Sequence, residues 1–207
     1  MRGVLLGVFA SLFLAGCGAD SVWAPEEAVR AAAYRPAGPT SITLFTMVNN
    51  RSNEGAHSAI MINASQRVIF DPAGTWWHRT APERHDVHYG ITPTMLKFFI
   101  DYHARETYRV VTQTVVVTPD VAEQALQLVE ANGAVPKAFC ANATTRIFSK
   151  LPGFQSVGGG MFPGRIMKSF GELPGVETKV YYDEDSDDNS ALLSSQQSAS
   201  AASQPSR

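Results

Sequence analysis

Cys140 and His57 are the residues whose types could together carry out nucleophilic chemistry. The chain of 207 residues has two cysteines, Cys17 and Cys140, too few for a disulfide-rich scaffold or a four-cysteine zinc site. Cys140 falls where a helix is expected to begin, two residues after Ala138 and directly before Ala141 and Asn142. Unpaired N–H groups and the helix dipole at such a position stabilise an anion, which lowers a thiol pKa and makes the thiolate available as a nucleophile. A neighbouring imidazole would lower it further and serve as the base. His57 suits that role, because it opens a strand among Gly55, Ala56, Ser58 and Ala59, small neighbours that leave room for a second group to approach. Each residue also has a plain structural reading. A free cysteine packs well as a small hydrophobe, and a histidine at a strand end needs only a hydrogen-bond partner.

The other candidates point less clearly to chemistry. His78, His85 and His88 lie in one loop near Glu83 and Asp86, and zinc takes three or four N, S or O ligands. Their spacing lacks the His-Glu-x-x-His helix pattern, so no metal and no cofactor is expected. His103 falls on the apolar face of a helix and reads as a core histidine. Trp76 and Trp77 are adjacent, so one is expected to pack inward and the other to line a cleft. The run of glycines at 158–160 lacks the Lys-Ser/Thr that phosphate cradling requires.

The elements that must position these residues are readable from pattern. Residues 41–48 alternate and are β-branched, as a strand does. Residues 57–62 and 67–71, joined by 63–66, form a hairpin apolar on both faces, hence central and buried. Residues 72–92, with Pro72, Gly74 and Pro82, read as a long irregular loop. Thr92-Pro93 and Thr118-Pro119 each offer a cap followed by a proline in the first turn. The first starts a helix whose apolar face carries Leu96, Phe99, Ile100 and His103, and the second a helix running to about Ala131, closed by Asn132-Gly133. A strand lies between them at 108–117, a third helix at 139–151, a fourth at 163–173 and a last strand at 176–182. Strands and helices mix without strict alternation, so the class is α+β, an antiparallel sheet packed against helices.

The composition is that of a folded domain, 44% apolar and 17% charged. Seventeen basic against nineteen acidic residues leave a charge of −2, and residues 40–182 carry thirteen basic and eleven acidic side chains. No basic excess argues for nucleic acid. Residues 183–188 form an acidic run followed by a Ser/Ala/Gln tail to Arg207, expected to be disordered. Residues 17–39, with Pro25, Pro36 and Pro39, read as a tether in which 26–34 has the makings of a short helix. Residues 1–16 carry Arg2 and then an apolar run over 4–14, too short to span a bilayer and typical of a signal segment.

Two resemblances sharpen these readings. Leu14-Ala15-Gly16-Cys17 resembles the lipobox of bacterial lipoproteins, which implies lipidation at Cys17, removal of residues 1–16 and anchoring to a membrane. Gly18 in place of Asp after that cysteine implies outer-membrane sorting, at the periplasmic face of the cell envelope. The asparagines of Asn63-Ala-Ser and Asn142-Ala-Thr are accordingly not read as glycosylation sites. The order of Gly55-Ala56-His57-Ser58-Ala59-Ile60-Met61-Ile62, then Val68-Ile69-Phe70-Asp71-Pro72, then a cysteine opening a helix, resembles the circularly permuted branch of the papain-like superfamily of NlpC type. That resemblance covers roughly residues 41–151. It implies Cys140 as nucleophile, His57 as base and Asp71 as the polar residue that orients the imidazole. The activity implied is thiol-dependent hydrolysis or acyl transfer on a cell-wall peptide or an acylated small molecule. The other reading of the same fold is a lipid-anchored binding or scaffold protein without turnover. Asp71 depends on register. A three-residue loop at 63–65 sets it opposite His57 on one face, whereas a loop of two or four residues turns it to the other face.

Overall fold

The computed structural model describes Ala19 and residues 21–201, with side chains through residue 196. The signal segment, Cys17 and Gly18 lie outside the described residues. Within them the chain is α+β, built on one seven-stranded antiparallel sheet. Its strands are β1 (Ser41–Asn49), β2 (Gly55–Asn63), β3 (Arg67–Phe70), β4 (Glu83–Arg84), β5 (Val87–His88), β6 (Tyr108–Val116) and β7 (Glu177–Tyr181). They run in the order β4-β5-β3-β2-β1-β6-β7, so the hairpin read as central is central.

Alternation along the strands feeds two cores. Ile42, Leu44, Ile60 and Ile62 point to one side of the sheet. There they meet α3 (Pro119–Glu130), α4 (Cys140–Phe148) and α5 (Pro163–Gly171) through Leu126, Val129, Phe148, Ile166 and Phe170. Phe45, Met47, Ala59, Met61 and Ile69 point to the other side, where α2 (Pro93–His103) lays down Phe99, and Trp76 fills the space beside it. Both expected caps are present: the Thr92 side chain accepts from Met95 N at 3.2 Å, and that of Thr118 from Val121 N at 3.5 Å.

The helix over α5 comes very close to β2. A Cβ on Gly55 would overlap the backbone of Gly164, so only glycine lets the two backbones approach there. Gly55→Ala is expected to push α5 off the sheet at a cost of about 1–3 kcal/mol, read as a lowered urea midpoint.

The short helix read within the tether forms, and the tail departs from its disordered reading. A helix, α1 (Glu26–Ala32), forms in the tether and buries Val29, while Trp23 bridges to Arg84, whose guanidinium lies 4.6 Å from the indole centroid. Residues 183–196 run back along the body and bond to it at several points, and a helix forms at Ser190–Ala201. Composition alone missed this because the ordering rests on a few polar contacts made by the body, with no apolar stripe to announce them.

Candidate active site

Cys140 is the first residue of α4, and its N-cap Phe139 supplies no side-chain cap. The first N–H groups of the helix are therefore free of side-chain competition, which favours a thiolate. Ala138, just before the cap, has φ of 70°, an uncommon value for a residue with a Cβ, so the chain turns sharply into the helix at the thiol. β3 ends at Phe70, which leaves the early part of β2 without a neighbour on that side. Here the Ser58 N–H and the Ala141 N–H donate to the Cys140 sulfur. Below it, the Ser58 hydroxyl meets Thr144 Oγ1 at 3.2 Å, joining strand to helix.

His57 stands beside this thiol, and its Nε2 lies 2.6 Å from Asp71 Oδ1. The Nδ1 edge is thereby left for the sulfur. The hairpin explains the contact. Asn63 pairs with Arg67 and Ile60 with Phe70, so the loop is the three residues 64–66. The register differs by two residues from the one that sets Asp71 opposite His57, and a shift of two preserves the face. Asp71 continues past β3 on the side of Ala59 and reaches His57 diagonally.

The electrostatics follow from burial and pairing. Burial alone would lower the His57 pKa, but the Asp71 charge and hydrogen bond, with the Cys140 thiol, raise it to about 10. Burial would raise Asp71, yet His57, His103 and His88 hold it down at about 2. Burial also pushes the Cys140 thiol up, and the His57 hydrogen bond and charge, with the Ser58 and Ala141 N–H groups, bring it below its ordinary value. Around neutral pH these directions favour a thiolate–imidazolium pair backed by a carboxylate. Asp71 Oδ2 is buried without a hydrogen-bond partner among the described residues. Gly74 presses against it, so closely that a Cβ there would overlap the carboxylate.

The chain matches no family model, no curated protein and no solved structure.

One further residue belongs to the site. His103, at the end of α2, stacks on His57 with ring centroids 6.1 Å apart and planes 14° from parallel. Its Nδ1 bonds the Phe99 carbonyl at 2.8 Å, and burial holds its pKa down at about 4, so it is neutral with Nε2 free to accept. The expectation of a core histidine is met only in that backbone bond; the ring also lines a cavity. This cavity of about 500 Å³ is bounded by His57, His103, Gly74 and Tyr102, among others, but not by Cys140, which is only 7% exposed. His57 is thus the part of the Cys-His-Asp arrangement that this cavity reaches.

His57, Asp71 and His103 bring three potential ligand atoms together. Ligand atoms on one tetrahedral zinc ion stand about 3.3 Å apart, given bonds of about 2.0–2.1 Å. The 2.6 Å between His57 and Asp71 is instead that of a short charge-assisted hydrogen bond. His78, His85 and His88 do not converge. His78 bonds Thr80 and packs on Phe98, His85 bonds Ser21, and His88 is buried against Trp76. Trp76 packs inward as expected, while Trp77 is exposed and does not border the cavity beside His57.

Proposed function

We propose that the protein is a lipid-anchored thiol hydrolase of the bacterial cell envelope, with a circularly permuted papain-like domain in which Cys140 is the nucleophile, His57 the base and Asp71 the orienting residue. The observation that carries this reading is the 2.6 Å contact between the His57 imidazole and the Asp71 carboxylate, with the Cys140 thiol hydrogen-bonded to the same histidine. The element order supports the permuted fold, because the hairpin bearing the histidine precedes the helix bearing the cysteine. The anchor rests on Leu14-Ala15-Gly16-Cys17. Among the described residues no helix is long and apolar enough to cross a membrane.

The chemistry runs as acyl transfer through sulfur. His57 takes the thiol proton, and the thiolate attacks the carbonyl carbon of an amide or ester. In this mechanism the Cys140 backbone N–H at the helix start stabilises the oxyanion. As the C–N or C–O bond breaks, His57 gives its proton to the departing nitrogen or oxygen and an acyl-thioester remains. Water then loses a proton to His57 and attacks the thioester, which releases the acid and returns the thiol. An alcohol or amine in place of water gives transfer. The substrate class is a cell-wall peptide or an acylated small molecule.

Alkylation of Cys140 by iodoacetamide across pH tests the reading on a soluble chain starting after Cys17. The expected thiolate pKa is below about 7, against the usual ~8.5, and it rises by a unit or more in His57→Ala. An ordinary or raised pKa indifferent to His57→Ala would leave Cys140 a packing residue and favour the anchored scaffold.

A further inference from the structure

The cavity beside His57 has one wall that the catalytic elements do not supply. After β7 the chain returns along the connection between α2 and β6. Glu106 N donates to Asp185 O at 2.9 Å, and Arg105 Nη1 meets Asp185 Oδ2 at 3.1 Å. Asn189 clamps the segment: its Oδ1 accepts from Arg105 Nε at 2.8 Å, and its Nδ2 donates to the Tyr102 carbonyl at 3.0 Å. Asp187 accepts from both the N–H and the hydroxyl of Thr107, at 3.1 and 2.5 Å. Asp187 and Asn189 thereby line the same cavity as His57, His103, Tyr102 and Tyr108.

Two features give this wall a chemical preference. The first is charge. Two cations border the cavity and both are faced by carboxylates: the His57 imidazolium by Asp71 at 2.6 Å, and Arg105, whose side chain is 7% exposed, by Asp101 at 3.6 Å and Asp185 at 3.1 Å. Asp187 faces no cation among the described residues, so its charge is left to the cavity. The second is the aromatic lining: Tyr102 and Tyr108 both border the cavity, and aromatic rings are favourable neighbours for a positive group. The position of the cavity decides which half of a substrate it meets. It borders the imidazole that protonates the leaving group and not the thiol that takes the acyl group.

We propose that residues 185–189 form the specificity wall of the leaving-group side of the site, and that the wall selects an amine or alcohol bearing a positive charge, such as an ammonium group. This rests on the thiol-hydrolase reading for the naming of the two sides. The same group is the preferred acceptor when the acyl chain is transferred instead of hydrolysed, because leaving group and acceptor occupy one place.

The test uses the chain from residue 18 onward and three alkylating probes for Cys140: 2-bromoethylammonium, iodoacetamide and iodoacetate. Each rate is divided by that of a small free thiol under the same conditions. Asp187→Asn removes the charge, keeps its oxygen as acceptor for the Thr107 N–H and offers an N–H to the Thr107 hydroxyl, which then accepts instead of donating, and a chain ending at Tyr182 removes the wall. The ratio of cationic to anionic probe is expected to fall about three- to five-fold in Asp187→Asn at low ionic strength, the size of one unit charge at a partly screened distance. It falls further in the shortened chain, and 0.5 M salt brings wild type and Asp187→Asn together. A ratio unchanged in Asp187→Asn at low salt overturns the proposal. An unactivated thiol indifferent to His57→Ala overturns the hydrolase reading instead, and the charge ratio is still read in that case.

Discussion

Asp71→Asn is expected to lower turnover of an activated ester such as p-nitrophenyl acetate by about 10²-fold, less than the ~10⁴-fold lost when the orienting carboxylate of a Ser-His-Asp triad becomes an amide, because a thiol ionises more readily than a hydroxyl. The cause is visible in the balance at His57. Burial works against a charged imidazole, and the Asp71 carboxylate is the largest influence that reverses it. An amide at 71 keeps the shape, removes the charge and allows the wrong tautomer. The imidazole pKa then drops, the thiolate loses its counter-charge, and the thiol pKa rises. Gly74→Ala reaches the same point without touching a titratable group. A methyl there overlaps the Asp71 carboxylate and must turn it away from His57. Both variants should therefore slow iodoacetamide at pH 7 toward the rate of an ordinary thiol. A Gly74→Ala protein that folds and keeps the wild-type rate would show that the 2.6 Å contact does not govern the thiol.

Much of this arrangement was legible because it is written in local pattern. The alternation of residues 41–48 and the double-faced hairpin follow from period two, and the starts of α2 and α3 from Thr-Pro pairs whose hydroxyls do cap the helices. Cys140 could be placed at a helix start because Pro136 on one side and Pro152-Gly153 on the other bound that helix. Asp71 was half legible. The face depends only on whether the loop is odd or even in length, whereas the residue opposite depends on where the loop starts, which nothing in Asn63-Ala64-Ser65-Gln66 decides.

What stayed hidden was set by contacts distant in sequence. Gly74 looked like loop punctuation, and its role as the only residue that fits against the Asp71 carboxylate needs the folded loop. His103 satisfied the apolar periodicity of α2, so nothing separated a core histidine from one that stacks on the base. The acidic tail had the composition of a solvated spacer. Its order comes from Arg105, Thr107 and Tyr102, which lie about eighty residues earlier, and no pattern within the tail encodes them.

Two buried histidines make the domain sensitive to acid, and this is the second large effect expected. Burial holds both His88 and His103 down at about 4, from an ordinary 6.5, with Asp71 opposing in each case. Between those values the unfolded chain binds protons that the folded chain does not, so stability falls as pH drops. At pH 5 each histidine costs about 2 kcal/mol relative to pH 7. Glu83 works in the opposite sense over the same range, since burial pushes its carboxyl up to about 7, but it is half-exposed and offsets less. Asp71, held at about 2, contributes stability above the unfolded value of 3.8 that is lost only as pH falls toward 2. His57 acts on the alkaline side. Its stabilisation is complete below 6.5 and fades as pH rises through about 10. Stability should therefore peak near neutral pH and decline on both sides. Urea midpoints at pH 7, 6 and 5 read the acid limb, and His88→Gln isolates one contribution, because a glutamine cannot titrate. The variant should be less sensitive to acid than wild type by about 2 kcal/mol between pH 7 and 5. Parallel curves would mean that His88 takes up its proton in the folded protein, and that the pocket against Trp76 admits water.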